Sequence, residues 1–337
     1  MKKTFSLLFF FLILCCVASC YPQGNTPTTG GTTTEPPTDQ ATPAEDFEYE
    51  FDSDGKVIYI SKYIGTSDAV TIPSKIEGYP VVFLKGIVED GIVSQGAFEN
   101  CAIKTIVMPD SVVSIGVDAF KNCEQLTSVS ISKQCKTISN GAFQNCLMLE
   151  KIDLSQTQTE AIGMRAFEGC SALSEIKFPD SLLTIERRAF YDCSSIAELS
   201  LPKNLTTIRV EAFFNCTSLK KVTIPAKLDL TAYESAVFYN LPSLEKIVFD
   251  EGREEISGYA FFATTTNVEI IIPKSVKLFS SYPFFSKGPV TFVFLGDCPE
   301  LGEKKDFYGE PCIYYDPTAN GWENCSWKEQ FPLIPIA

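Results

Sequence analysis

The sequence predicts a mainly β repeat solenoid: a stack of coils of about 23 residues that share a parallel sheet and carry a cap at each end. Three features predict it: a recurring Ala-Phe pair, an isoleucine or phenylalanine four residues before most of its alanines, and a regularly spaced series of aliphatic residues after the pair, called here the aliphatic staircase. The recurring aromatic positions are Phe98, Phe120, Phe143, Phe167, Phe190, Phe213, Phe238, Phe261 and Phe284. Their spacings run from 22 to 25 residues. A period sustained in this way is typical of a solenoid.

Each staircase predicts one short strand per coil. In the copy that contains Ile176 and Phe178, these two apolar residues alternate with the charged Glu175 and Lys177. Alternation puts the apolar side chains on one face of a strand and the charged ones on the other. Pro179 follows directly and ends the strand. One coil alone leaves its apolar set exposed, so only stacking on neighbouring coils buries it.

Six cysteines recur three residues after the phenylalanines and form a predicted structural ladder: Cys101, Cys123, Cys146, Cys170, Cys193 and Cys216. Their spacing is too wide for a zinc knuckle. Parallel side chains one coil apart keep their Cβ atoms about 4.8 Å apart, above the usual disulfide value of about 3.8 Å. We therefore expect buried, reduced thiols and no metal site. A bridge among the off-ladder cysteines stays open; these are Cys135, Cys298, Cys312 and Cys325.

The outward strand positions form the predicted ligand-binding surface, the concave face of the array. They lie in two columns: Thr105, Ser128, Lys151, Glu175, Glu198, Lys221, Lys246 and Glu269, and then Val107, Ser130, Asp153, Lys177, Ser200, Thr223, Val248 and Ile271. Charges of both signs predict a solvated face with cross-strand pairs, such as Lys151 beside Glu175. Neither column carries an aromatic strip. A face that serves only solubility is the alternative.

The repeated motif Ile-x-x-x-Ala-Phe-x-x-Cys-x-x-Leu-x-x-Ile-x-Ile-Pro resembles the leucine-rich repeat of the BspA-like (Treponema-type) surface proteins. The resemblance covers about residues 47–337, with an opening cap from Tyr49 to Val82 and a closing segment from Ile313 to Trp322. It implies a right-handed leucine-rich repeat array, exported to the surface, that binds host matrix proteins or other bacteria. The stretch Leu84 to Val93 departs from the pattern as an insertion, and such a loop is a fair place for specificity.

The N-terminus predicts export and lipid anchoring. Residues 1–19 have a basic start and an apolar run from Phe5 to Val17, too short to span a bilayer but suited to a signal peptide. The small residues before Cys20 resemble a bacterial lipobox, which implies that Cys20 carries the lipid. We expect a Thr/Pro-rich disordered tether at 20–46, a cap at 47–96, repeats at 97–287 and a closing segment at 288–337. The predicted location is the cell envelope, at the outer membrane or cell surface.

Composition excludes several function classes. The chain of 337 residues has a net charge of −14 and no basic block, which argues against nucleic-acid binding. The absence of histidine removes Ser-His-Asp and Cys-His catalysis and histidine zinc sites. No phosphate-binding loop occurs, so the sequence predicts no cofactor. The stretch Asp52 to Gly55 starts like a calcium loop, but the apolar run after it favours a hairpin turn.

The sequence therefore predicts an adhesin-like, lipid-anchored surface protein without catalysis. Its partner would be a protein or glycan on host matrix or on other bacteria, and its membrane contact would be the lipid anchor alone. The alternative is a structural or assembly protein of the envelope that faces the periplasm. An enzyme would need a cleft on the array built from carboxylates or a reactive thiol, and for the thiol the candidates are Cys135 and Cys298. The oligomeric state stays open.

Overall fold

The computed structural model describes residues 41–89, 92–230, 236–256, 261–264, 267–279, 284–286, 289–301, 311–329 and 331–336. All of them belong to one compact unit, Pro36–Ala337. The predicted signal peptide at 1–19, the predicted lipid-bearing Cys20 and the tether up to residue 40 lie outside the described residues. The predicted domain boundaries stay predictions.

The regular secondary structure of the described chain is almost entirely β, in short strands separated by turns. Its helical segments are limited to two short 3₁₀ helices, Ala44–Asp46 and Ser326–Glu329. No helix within these ranges is long and apolar enough to cross a bilayer. The predicted mainly β solenoid of stacked coils with parallel strands is confirmed.

The N-terminal part contains seven described strands: β1 (Phe47–Phe51), β2 (Ile58–Tyr63), β3 (Ala69–Thr71), β4 (Lys75–Ile76), β5 (Tyr79–Leu84), β6 (Ile87–Glu89) and β7 (Ile92–Gln95). Strands β1 and β2 form an antiparallel hairpin, and β5 continues the sheet from β2 in parallel. Strands β4 and β5 also pair antiparallel, and the insertion at 84–93 contributes to a third antiparallel pair, β6–β7.

Each repeat coil contributes a strand to the predicted concave face. These strands are β8 (Thr105–Val107), β10 (Ser128–Ser130), β12 (Lys151–Asp153), β14 (Glu175–Lys177), β16 (Glu198–Ser200), β18 (Lys221–Ile224), β20 (Lys246–Phe249), β23 (Val268–Ile272) and β26 (Val290–Phe294). In the described residues the column is divided into three parallel sheets: β10-β8-β3, β12-β14, and a sheet that starts β16-β18-β20-β23-β26. The last sheet goes on through β28 (Cys312–Tyr315) and β29 (Leu333–Pro335).

A second strand per coil was not predicted. These strands are β9 (Ser114–Ile115), β11 (Thr137–Ile138), β13 (Ala161–Ile162), β15 (Thr184–Ile185), β17 (Thr207–Ile208), β21 (Glu255–Ile256), β24 (Leu278–Phe279) and β27 (Glu300–Leu301). The first five extend the N-terminal sheet in the order β1-β2-β5-β9-β11-β13-β15-β17, and the last three pair separately. A separate three-stranded sheet consists of β19 (Phe238–Tyr239), β22 (Phe261–Thr264) and β25 (Phe284–Ser286).

A column of phenylalanine rings fills the core. From Phe98 to Phe238, rings of successive coils stack with centroids 5.0 to 5.5 Å apart and planes within 18° of parallel. The alanine before each ring is fully buried in the copies at Ala119, Ala142, Ala166, Ala189 and Ala212. Each ring packs on the two rings beside it, so no single coil can bury it, which is why the period repeats so strictly.

The turn after each ring requires a left-handed backbone. Asn100, Asn122 and Asn145 have φ values of 61°, 57° and 60°, and Gly169 has a φ of 76°. Asparagine, aspartate and glycine tolerate this conformation best. The side chains also form a ladder: Asn122 Nδ2 donates to Asn100 Oδ1 at 3.0 Å, and Asn145 Nδ2 donates to Asn122 Oδ1 at 2.9 Å. Asp192, Asn215 and Asn240 resume it beyond Gly169.

Candidate binding surface

The predicted concave-face residues lie on strands whose side chains alternate between core and surface. In β12 the middle residue Ile152 is buried while Lys151 and Asp153 are exposed. Strands β18, β20 and β23 alternate in the same way. The parallel register places the predicted residues of neighbouring paired strands side by side, as with Glu198 beside Lys221. The structure therefore brings both predicted columns to one surface, interrupted where the sheet breaks.

The centre of this surface carries a network of four charged side chains. Lys151 Nζ lies 3.2 Å from Glu175 Oε2, and Lys177 Nζ lies 3.3 Å from Glu175 Oε1 and 3.5 Å from Asp153 Oδ2. Hydrogen bonds from the two lysines lower the pKa of Glu175, and hydrogen bonds from Ser155 followed by the charge of Lys177 lower the pKa of Asp153. The pairs are solvent-exposed, so they add little stability and are screened by salt. Their charges cancel locally, which leaves no strong field here.

The C-terminal half of the surface is different in character. One outward column, called here the apolar stripe, reads Val248, Ile271, Val293, Tyr314 and Ile334 along five consecutive parallel strands. Its first four members are half-buried and Ile334 is exposed. At about 4.8 Å per strand, the stripe extends over roughly 19 Å. The neighbouring column is polar: Lys221, Lys246, Glu269, Thr291 and Cys312.

The surface predicted from the sequence includes only the first two residues of the stripe, Val248 and Ile271. The prediction ends at Ile271 because the Ala-Phe motif becomes degenerate after this residue. The missed strands carry their own signal, an alternation in Val290 to Phe294 that matches the apolar staircases upstream. No local sequence pattern indicates that β28 and β29 continue the same sheet, because their register depends on contacts between distant segments.

A second surface feature was missed altogether. The residue directly after the core phenylalanine is aromatic in five successive coils. In the first three of them, Tyr191, Phe214 and Tyr239 stack with centroids 4.9 and 5.1 Å apart. All three rings are half-buried, and the Arg188 guanidinium lies 5.0 Å from the Tyr191 centroid. The rings stack on each other, so they present edges rather than faces to solvent.

The cysteine ladder has a specific hydrogen-bonding role. The thiols of Cys123, Cys146, Cys170, Cys193 and Cys216 are buried and free, and each donates to a phenylalanine carbonyl of the preceding coil at 3.0 to 3.4 Å. Cys101, where the ladder begins, is half-buried and lies 3.9 Å from Glu99 O. Burial raises the pKa of the Cys193 and Cys216 thiols. These groups hold their protons and behave as small apolar side chains with one weak donor.

The off-ladder cysteines are free thiols in three different environments. Cys135 is buried and lies 3.6 Å from Thr137 O, and burial raises the pKa of its thiol to about 12. Cys298 and Cys325 are half-buried against the core, while Cys312 is exposed. Burial, followed by a hydrogen bond with Cys325, raises the pKa of Cys298. Neither candidate for a reactive thiol has the lowered pKa that the enzyme hypothesis needs.

The calcium-like stretch folds as a turn. Gly55 has a φ of 67°, and Asp52 Oδ1 accepts hydrogen bonds from the amides of Lys56 and Val57 at 2.6 and 3.0 Å. The aspartate thus stabilises the β1–β2 hairpin, as the sequence predicted. Within the described ranges no cluster of three or more cysteine and carboxylate side chains has the geometry to hold a metal ion.

Comparison with known proteins gives one family match. The model of the BspA type leucine rich repeat region matches six copies, over residues 91–196 and 160–291. These ranges contain the strands from β8 to β23 and all six ladder cysteines. Among curated proteins, none matches the chain.

Several solved bacterial structures are similar. The Leucine Rich Repeat protein of T. pallidum (TpLRR) is 27% identical, with 62% of this chain and 86% of that chain covered and a TM-score of 0.44. Pneumococcal vaccine antigen PcpA is 17% identical, with 88% and 98% covered and a TM-score of 0.45. A leucine rich cell surface protein of Faecalibacterium prausnitzii is 16% identical, with 74% and 95% covered and a TM-score of 0.40.

Proposed function

Because the chain belongs to the BspA-type leucine-rich repeat family, we propose that it is a lipid-anchored protein of the cell surface whose repeat array binds another macromolecule. Members of this family are bacterial surface proteins, and leucine-rich repeats generally bind other proteins rather than catalyse reactions. The anchor is Cys20, and the partner is a protein or glycan on host matrix or on other bacteria. We infer that the array acts as an adhesin.

The observation that carries the proposal is the apolar stripe beside a polar column. Protein interfaces typically have an apolar centre depleted of charge, surrounded by a polar rim. Val248, Ile271 and Val293 form such a centre, and Lys246 and Glu269 form part of the rim, with Lys246 Nζ 2.5 Å from Glu269 Oε2. A protein chain that lies across these strands would bury the stripe while its polar groups meet the rim.

The rigid array lowers the cost of binding. The stripe lies on strands joined by continuous parallel hydrogen bonding from β18 to β29. Little conformational entropy is lost when a preformed surface binds, so more of the contact free energy appears as affinity. The chain is acidic overall, so its long-range field favours partners with cationic patches, and association should slow as salt rises.

Surface location is tested by protease treatment of intact cells that express the full chain, with detection by an antibody to the repeats. The Thr/Pro-rich segment should be cleaved readily if it lies outside the cell. Release of the array from intact cells is the expected result. Protection until the envelope is opened would contradict the adhesin and favour the alternative, an assembly protein that faces the periplasm.

Binding through the stripe is tested with a matched pair of variants. Ile271→Lys places a charge in the stripe, and Ser200→Lys places the same charge in the same column on β16, away from the stripe. Both residues point outward from strands, so neither change should disturb the core. With immobilised matrix proteins as probes, Ile271→Lys should weaken binding at least about tenfold, which corresponds to ~1.4 kcal/mol. Equal binding by both variants would move the site away from the stripe.

A further inference from the structure

Two tryptophans hold the closing segment against the last repeat coil. Trp322 Nε1 donates to Gly296 O at 2.9 Å, and Trp327 Nε1 donates to Pro299 O at 3.0 Å. Both indoles are buried. The chain at 296–299 is therefore clamped alongside the chain at 322–327, and each of these stretches contains one cysteine.

The cysteines of the two stretches lie close to each other. Cys298 and Cys325 are both half-buried against the core, and the Cys325 thiol is near enough to contribute to the raised pKa of Cys298. The approach of the backbones is close as well: Cys298 N donates to Asn320 O at 3.0 Å, and a Cβ on Gly321 would lie 3.4 Å from Cys298 Cβ. The closing segment thus brings together two thiols that are 27 positions apart in the sequence.

We propose that Cys298 and Cys325 form a disulfide bond in the exported protein, which fastens the closing segment to the array. The proposal rests on the export that the proposed function includes, because disulfides persist in oxidising compartments outside the cytoplasm. The oxidant is the disulfide of an envelope thiol–disulfide oxidoreductase. One thiolate attacks that disulfide and releases one oxidoreductase thiol. The second protein thiolate then displaces the other, so two protein thiols lose two protons and two electrons and the oxidoreductase gains them.

The other cysteines in the described part of the chain are not arranged for a relaxed bridge. Each buried ladder thiol donates to a carbonyl of the preceding coil, and the side chains run parallel along the stack, which keeps Cβ atoms too far apart for a relaxed bridge. Cys135 is buried at a different place in the array. Cys312 is exposed on β28 beside Thr291 of β26, on the outward side of the sheet. The structure thus chooses one pairing among the off-ladder cysteines.

The bond would protect the end of the stack. Terminal coils of a solenoid lack a neighbour on one side and fray most easily. In this protein β29 is the edge strand of the long sheet and carries Ile334, the exposed end of the apolar stripe. A cross-link between the coil that contains Cys298 and the segment before β29 restricts the unfolded ensemble of this end and slows its opening.

The test uses the purified full chain in glutathione buffers of graded potential, with free thiols trapped by N-ethylmaleimide. Digestion after acidic residues separates Cys312 from Cys325, because Asp316 and Glu323 lie between them. The expected product is a non-reduced peptide pair that joins Cys298 to Cys325, formed at a potential at which Cys312 is still free. Cys325→Ser should abolish the pair and leave Cys298 alkylated, whereas Cys312→Ser should leave it unchanged.

Two results would overturn the proposal, and they are distinguishable. If Cys298 and Cys325 both stay alkylated in the most oxidising buffer while Cys312 carries glutathione, the pair does not bond and the proposed surface function is untouched. If the pair bonds in buffer but is recovered as free thiols from protein alkylated in intact cells, the chain does not meet the envelope oxidant. That second result would contradict export, and with it the proposed function.

Discussion

The thiol of Cys170 donates a hydrogen bond to the carbonyl oxygen of Phe143 at 3.1 Å, across 27 positions of sequence. The same contact recurs from coil to coil along the ladder, with Cys146 to Phe120 and Cys193 to Phe167 as its neighbours. The cysteine therefore links adjacent coils as well as filling space. Cysteine recurs at this position of the repeat because the position requires a small apolar side chain that also donates a hydrogen bond to a buried carbonyl.

Replacing Cys170 by alanine should lower the free energy of unfolding by about 1–2 kcal/mol, because it leaves a small cavity and an unpaired carbonyl lone pair. Urea titration followed by circular dichroism gives the value. The control is Ser171→Ala, an exposed neighbour whose hydroxyl lies 3.5 Å from Leu147 O, and it should cost less than about 0.5 kcal/mol. If the two variants lose the same free energy of unfolding, the ladder cysteines do not stabilise the fold.

The phenylalanine column should respond far more strongly. Phe190→Ala removes a ring that stacks at 5.1 Å on both Phe167 and Phe213, and it should cost about 3–5 kcal/mol. Because coils are stabilised by their neighbours, hydrogen exchange should accelerate first in the coils that flank Phe190. Leu183→Ala, at a side chain that is 45% exposed, is the comparison and should change stability by less than about 0.5 kcal/mol. Uniform acceleration along the whole array would show global rather than local coupling.

The asparagine ladder predicts which of two variants at Asn122 is the more stable. Asn122→Gly and Asn122→Ala both lose the amide contacts to Asn100 and Asn145, but only alanine must also adopt a φ of 57° with a Cβ. The alanine variant should therefore be the less stable of the two by about 1 kcal/mol. Thermal unfolding of the pair measures the difference. A glycine variant that unfolds first would mean that the backbone conformation is not the dominant cost.

Glu168 should make stability depend on pH. Burial raises the pKa of this carboxyl above its ordinary value, and the nearby Arg165 charge only partly opposes the effect. Arg165 Nε lies 3.3 Å from Glu168 Oε2, but that oxygen makes no hydrogen bond. A raised folded pKa means that the native state binds more protons than the unfolded chain, so stability falls as the pH rises through the folded pKa.

Replacing Glu168 by glutamine should remove this loss and flatten the stability profile between acidic and neutral pH. Chemical denaturation at several pH values compares Glu168→Gln with the parent chain and with Glu150→Gln, an exposed site where the same change should have little effect on stability. If the Glu168→Gln variant keeps the original slope, the pH dependence belongs to other groups.

Local spacing was sufficient to predict much of the fold. The interval near 23 residues between Phe98 and Phe284 predicted stacked coils, and the alternation around Ile176 predicted the strand of each coil and the side that faces outward. The second strand, such as Thr184–Ile185, escaped notice because two residues are too few to show a period. Its pairing partners, Ala161–Ile162 and Thr207–Ile208, lie one coil away in each direction.

Spacing and composition were enough to predict the repeat, the acidic character of the chain and the side of each repeat strand that meets solvent. They were enough because these properties depend on composition and on periods no longer than one coil. That Val248 and Ile334 belong to one apolar stripe, and that Cys298 lies close to Cys325, follows only from the folded structure. The spacing between successive stripe residues shortens from 23 to 20 positions towards the C-terminus, and Cys298 and Cys325 are 27 positions apart. These contacts therefore depend on the register and docking of the closing segment, which are fixed by the packing of Trp322 and Trp327.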